Sequence, residues 1–274
     1  MDGLRTPRQK TQERDRTRER PPIVDCHTHI GRLPGVVGEV FTPEDLCYIC
    51  EHEGAEFMLV SSASATTIGQ HVATTEVIAM VEAHGQRLGG MLWINPHDPS
   101  WADDVDRAVQ HAFYGIKIHP VLDHYAVDRA ALDDVFACAR AHRWPILTHT
   151  DVDGTPMSAS CYEPLIRAYP DVALILAHLR LGAIPLAKRY DNVYLDTTYM
   201  DPLTVEVGVD ALGPSKILFG SDAAEGFDVG HAVAKERPRR SYAGMIDGLR
   251  ARGISETALD QILYLNARVL FHID

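Results

Sequence analysis

Apolar residues fall into short dense runs, separated by stretches with a helical spacing. Eight runs read as strands: residues 22–30, 55–63, 88–96, 114–120, 145–150, 173–179, 193–198 and 217–223. Several, such as "ALILAHL" at 173–179, are apolar at almost every position, as in strands covered on both faces. Between them, apolar positions recur every three or four residues. In "DRAALDDVFACARAHR", Leu132, Val135, Phe136 and Ala139 share one helical face and Asp128 stands as the N-cap. "TPEDLCYICEHEG" opens on Thr42 as cap with Pro43 at the first helical position, and closes on Gly54. The weakest helical stretch is "DPLTVEVGVDALGPS" at 201–215, and the terminal "SETALDQILYLNARVLFHID" reads as one capped helix or two. Strands alternating with helices predict an α/β fold with a parallel sheet, and eight repeats point to a closed (β/α)8 TIM barrel. No linker divides the repeats, so a single domain is expected over residues 22–274.

Composition adds boundaries to this picture. Of 274 residues, 46% are hydrophobic, enough for a sizeable core. No run of about 18 apolar residues exists to span a membrane, and the polar N-terminus lacks a secretory pattern. Residues 1–20 hold seven bases against four acids, which leaves 19 bases against 34 acids, a net of −15, for the remainder. An acidic body disfavours nucleic acid and anionic membranes as partners. Residues 1–21 carry few apolar groups and are expected to be a disordered basic tail; a nucleic-acid arm is the sharper alternative. Five cysteines, an odd number, suggest reduced thiols and a cytoplasmic setting. Cys47 and Cys50 have CxxC spacing, but a half-buried helix face accounts for them, and no second pair completes a zinc site.

The chemistry gathers at strand ends. In "PIVDCHTHIG", His27 and His29 project from one face of a strand, about 7 Å apart. Lys117 and His119 lie near the end of strand four, His149 ends strand five, His178 strand six and Asp222 strand eight. In a parallel barrel these ends open onto one face, where such barrels build their active sites. Three imidazoles and a carboxylate suit one divalent transition metal, Zn²⁺ first, with Mn²⁺ or Fe²⁺ as alternatives. Such a metal lowers the pKa of a bound water towards 7, and a neighbouring carboxylate and non-ligand histidine move protons. His52, His84, His111 and His142 fall on helical stretches and read as solvated faces.

This order, HxH on strand one, His on five and six and Asp on eight, resembles the amidohydrolase superfamily. "GIKIHP", "ILFGSDA" and "ILYLNARVLF" are similar to the branch that contains aminocarboxymuconate-semialdehyde decarboxylase, and the resemblance runs from about residue 22 to 272. It implies a metal held by His27, His29, His149 and Asp222, with His178 as acid/base and Asp222 also accepting a proton from water. Two departures stand out. The chain is shorter than the decarboxylases of that branch, with little room for their substrate-binding loops. In place of a glycine pair after the strand-six histidine it has "AHLRLG", which puts Arg180 near the mouth. Arg180, and Arg32 after the first strand, are candidates for holding a substrate carboxylate; each equally reads as a surface arginine. Lys117 and His119 complete the candidate substrate-binding set, Lys117 as a charge that orients an anionic substrate or polarises its carbonyl. A carboxylated Lys117 bridging two metals is the alternative.

The expected activity is metal-dependent hydrolysis of a small amide, lactone or related carbonyl compound. Non-oxidative decarboxylation on the same ligands is the runner-up. A non-enzymatic metal binder would not need an intact His178 and Asp222. A metal-dependent nuclease is disfavoured by the acidic body and by Lys117 and His119 where such barrels place a carboxylate. The expected partner is a small, anionic molecule, with a second copy of the chain as a further candidate.

Overall fold

The computed structural model describes residues 21–32, 40–223, 227 and 241–274. The expected tail lies outside them, apart from Pro21. Among the described residues eight strands form one sheet in sequence order, every neighbouring pair parallel. They are β1 (Val24–Ile30), β2 (Phe57–Ser62), β3 (Leu88–Trp93) and β4 (Gly115–Ile118), followed by β5 (Ile146–Thr148), β6 (Leu174–Leu176), β7 (Val193–Asp196) and β8 (Ile217–Leu218). The sheet closes where β1 meets the segment after β8. Cys26 N–H donates to Phe219 O at 3.0 Å, Asp222 N–H to His27 O at 2.8 Å and His29 N–H to Ala223 O at 2.6 Å. The chain is a (β/α)8 barrel, as the pattern predicts.

The helices are α1 (Pro43–Glu53), α2 (Gln70–His84), α3 (Trp101–Gln110), α4 (Arg129–His142) and α5 (Glu163–Ala168), then α6 (Ile184–Arg189), α7 (Pro202–Leu212), α8 (Tyr242–Ala251), α9 (Glu256–Asp260) and α10 (Asn266–Phe271). Their ends obey local chemistry. Thr42 and Asp45 form a capping box on α1, which Gly54 ends in the left-handed conformation. Asp128 caps α4 and Ser255 caps α9. The weak stretch before β8 does form α7, with Asp201 accepting from Thr204 N–H. A single π turn, Gln261–Leu265, joins α9 to α10. Of the four histidines read as solvated, His52 and His142 are exposed. His84 and His111 are half-buried, near Glu44 (3.8 Å) and Glu82 (3.5 Å).

Strand alternation sorts the core into two parts. Met58, Val60, Ile116, Ile118, Ile146, Leu174 and Leu176 pack with helix residues such as Leu46, Ile49, Val135 and Phe136. The positions between them, Leu59, Leu147 and Ile175, join Val24, Cys26, Met91 and Leu218 in a second cluster with Ala267 and Phe271 of α10. The first cluster lies between sheet and helices, so the second fills the barrel. Lys117 sits between Ile116 and Ile118 and therefore points inward. In β1 the register slips between Asp25 and Thr28. That bulge moves the inward face from Val24 and Cys26 to His27 and His29.

No helix among the described residues is long and apolar enough to cross a membrane.

Candidate metal centre

The bulge in β1 lifts both imidazoles into the barrel mouth, where the turn after β8 supplies Asp222. The His29 Nε2 lies 3.2 Å from Asp222 Oδ1 and the His27 Nε2 lies 3.6 Å from it. One ligand atom from each of the three residues falls within 4.8 Å of the others. The far nitrogens are already engaged: His27 Nδ1 with Asp196 Oδ2 at 2.8 Å, His29 Nδ1 with Ser61 Oγ at 2.9 Å. Both Nε2 atoms therefore face the carboxylate, the donor arrangement a divalent cation needs.

Electrostatics favour neutral rings here. Burial, then the Lys117 charge, lowers His27. His29 is lowered mainly by burial. Burial and neighbouring charges push His149 down to about 2 and His178 down to about 4. Burial lowers His119 as well. At pH 7 all five offer lone pairs. Asp222 stays ionised: burial opposes its charge, but the histidines around it hold its carboxyl well below the carboxylate range. Burial also brings Lys117 down to about 8, leaving it mostly cationic at pH 7.

Three residues at this rim take backbone angles that L residues avoid. His178 has φ 72°, Tyr199 φ 61° and Asp222 φ 65°. They follow β6, β7 and β8, where the chain must leave the strand abruptly to aim a side chain across the mouth. Such strain clusters at functional sites.

His149, the expected fourth ligand, is not among the residues whose ligand atoms lie within 4.8 Å of one another. It stands beside them, its Nδ1 2.8 Å from His178 Nε2. The Lys117 amine lies 2.6 Å from His27 Nε2, so ammonium and metal compete for one lone pair. His119 stacks on His149 with ring centres 4.1 Å apart and an 11° tilt. Arg180 is half-buried, and its Nε has no hydrogen-bond partner among the described residues. Arg32 is exposed at the edge of the described segment.

Four further residues shape the centre without being evident from sequence. Asp196, at the end of β7, is fully buried against His27. Asp25 Oδ1 accepts the N–H groups of His27 and Ser221, each at 3.1 Å, and its Oδ2 accepts from the Tyr242 hydroxyl. Trp93 stacks on His119 at 5.8 Å and 6°. Tyr199 lies 5.6 Å from the His178 ring. Asp196 had a signal available, since "VYLDTT" ends an apolar run on a carboxylate as strand eight does. Together Trp93, His119, His149, His178, His27 and His29 form a closed belt of rings, neighbours 4.1–5.8 Å apart.

The amidohydrolase family model matches residues 24–273, nearly the whole described barrel. The chain belongs to the amidohydrolase family. No curated protein sequence matches it. Among solved structures, a 5-carboxyvanillate decarboxylase from Sphingomonas paucimobilis superposes with TM-score 0.71 at 14% identity, covering 93% of this chain and 100% of that one. A dihydroxybenzoic acid decarboxylase from Polaromonas sp. JS666, with bound manganese and the inhibitor 2-nitroresorcinol, reaches TM-score 0.71 at 16% identity over 93% and 98%. The 4-oxalomesaconate hydratase of Rhodopseudomonas palustris reaches 0.67 at 13% over 91% and 95%. At these identities the likeness is one of fold.

Proposed function

We propose that this amidohydrolase is a metal-dependent hydrolase of a small, anionic carbonyl compound such as an amide or lactone. The observation that carries the reading is the convergence of His27, His29 and Asp222 with both far nitrogens already bonded. His149 is the proposed fourth ligand. The donor set of imidazole and carboxylate suits Zn²⁺ and also Mn²⁺ or Fe²⁺. A divalent cation held there acidifies water towards neutral pH and polarises a carbonyl. The protein's own groups do the rest. Asp222 accepts a proton at a carboxylate oxygen. His178 takes or returns one through Nε2 once that atom leaves its contact with His149. Lys117, displaced from His27, and Arg180 orient a substrate carboxylate.

Non-oxidative decarboxylation is the second reading, favoured by the two structurally similar decarboxylases. Elemental analysis of the purified protein should find one transition metal per chain, lost in the His27→Ala/His29→Ala double variant and in Asp222→Ala. Full metal in those variants would sink the site. Two metals per chain would favour a carboxylated Lys117. A screen of amides, lactones and aromatic acids, scoring CO₂ separately from hydrolytic product, then decides between the two reactions.

A further inference from the structure

We infer that Asp196 is a positioning residue that fixes the tautomer of His27 and the aim of His178 with one carboxylate. The catalytic meaning of this inference rests on the proposed metal centre; the tautomer itself does not.

Asp196 divides its two oxygens between two tasks. Its Oδ1 accepts backbone N–H groups from His178 at 2.8 Å and Thr198 at 3.0 Å. Its Oδ2 lies 2.8 Å from His27 Nδ1. An ionised carboxylate only accepts, so this contact requires the ring proton on Nδ1. On the other side of the ring, the Lys117 amine stands 2.6 Å from Nε2. An ammonium only donates, so Nε2 must be bare. Two groups on opposite sides thus demand the same tautomer, the one that leaves a lone pair facing Asp222. The Thr198 hydroxyl, 3.1 Å from Nδ1, donates or accepts and does not choose.

The other oxygen acts on the backbone. His178 sits at φ 72°, and its N–H bond to a buried carboxylate helps hold that conformation. In this pose its ring lies 5.8 Å from His27 and touches His149. A metal ligand and a proton carrier are set by the same side chain.

The asparagine variant exposes the logic. In Asp196→Asn the two backbone donors claim the amide oxygen, because an NH₂ group cannot face them. The NH₂ must then face His27 Nδ1 and donate to it. With Nδ1 now facing a donor, the His27 proton moves to Nε2, where it displaces the Lys117 ammonium and blocks ligation.

The test uses the full-length protein with ¹⁵N-labelled histidine. Long-range ¹H–¹⁵N correlation of the metal-free wild type should show His27 protonated on Nδ1 and bare on Nε2. Asp196→Asn, folded by circular dichroism, should show the reverse. Its Zn²⁺ affinity, measured by chelator competition, should fall by about 10–100-fold. A wild-type spectrum with the proton on Nε2 would overturn the inference, and that measurement needs no variant to fold. So would a variant with the wild-type tautomer and unchanged affinity. A wild type that binds no metal, beside an Asp196→Asn protein with the reversed tautomer, would overturn the proposed function while supporting the role of Asp196.

Discussion

His149 and His178 share one hydrogen bond, in which one ring donates and the other accepts, yet their proposed duties differ. A lost ligand costs metal, whereas a lost proton carrier costs rate, typically about 10²–10⁴-fold. His149→Asn is therefore expected to purify metal-poor and inactive. His178→Asn should be metal-replete, folded and slow. Metal analysis beside single-turnover rates checks this, and the opposite pattern would exchange the roles. At this scale the sequence was partly legible. Histidines and carboxylates at the ends of apolar runs announce themselves, because those ends share one face of a barrel. Asp196 carries the same signal at the end of "VYLDTT", but its meaning comes from His27, 169 positions away. Trp93 and Tyr199 are silent: an aromatic near a strand end reads as core until the neighbouring rings are placed beside it.

All eight strands were legible as elements, but their ends were not. The runs at 145–150, 173–179 and 217–223 continue past β5, β6 and β8, which stop at Thr148, Leu176 and Leu218. Each stops where the chain turns out to present His149, His178 or Asp222, so apolar composition outlasts strand geometry at the site. The bulge in β1 was hidden too, because it depends on pairing with β2 and with the segment after β8. That packing is tight at one point. A methyl group on Gly220 would meet Thr198 Oγ1 at 2.8 Å and the His27 Cβ at 3.0 Å. Gly220→Ala is expected to destabilise the fold by about 1–3 kcal/mol and to lower metal content by pushing His27 out of line. Urea unfolding and elemental analysis measure both. Wild-type values for the two would mean that β1 has slack to give.

At the scale of the molecule, the chain carries a net charge of −12. The barrel itself was legible from the eightfold alternation, but its line of closure was not. That line runs between His27 and His29 on one side and Asp222 on the other, and three backbone bonds cross it. A cation gripped from both sides would tie together positions separated by roughly 200 residues of chain, a cross-link of the kind whose loop-closure entropy makes disulfides stabilising. With that cation bound, the proposed centre would be a clasp as well as a catalyst, and the barrel a ring that opens at one place. Chelation should speed amide exchange first at Cys26, His29 and Asp222, ahead of the strands on the far side of the barrel, and zinc should slow it again. Equal acceleration around all eight strands would show that the clasp bears no special strain.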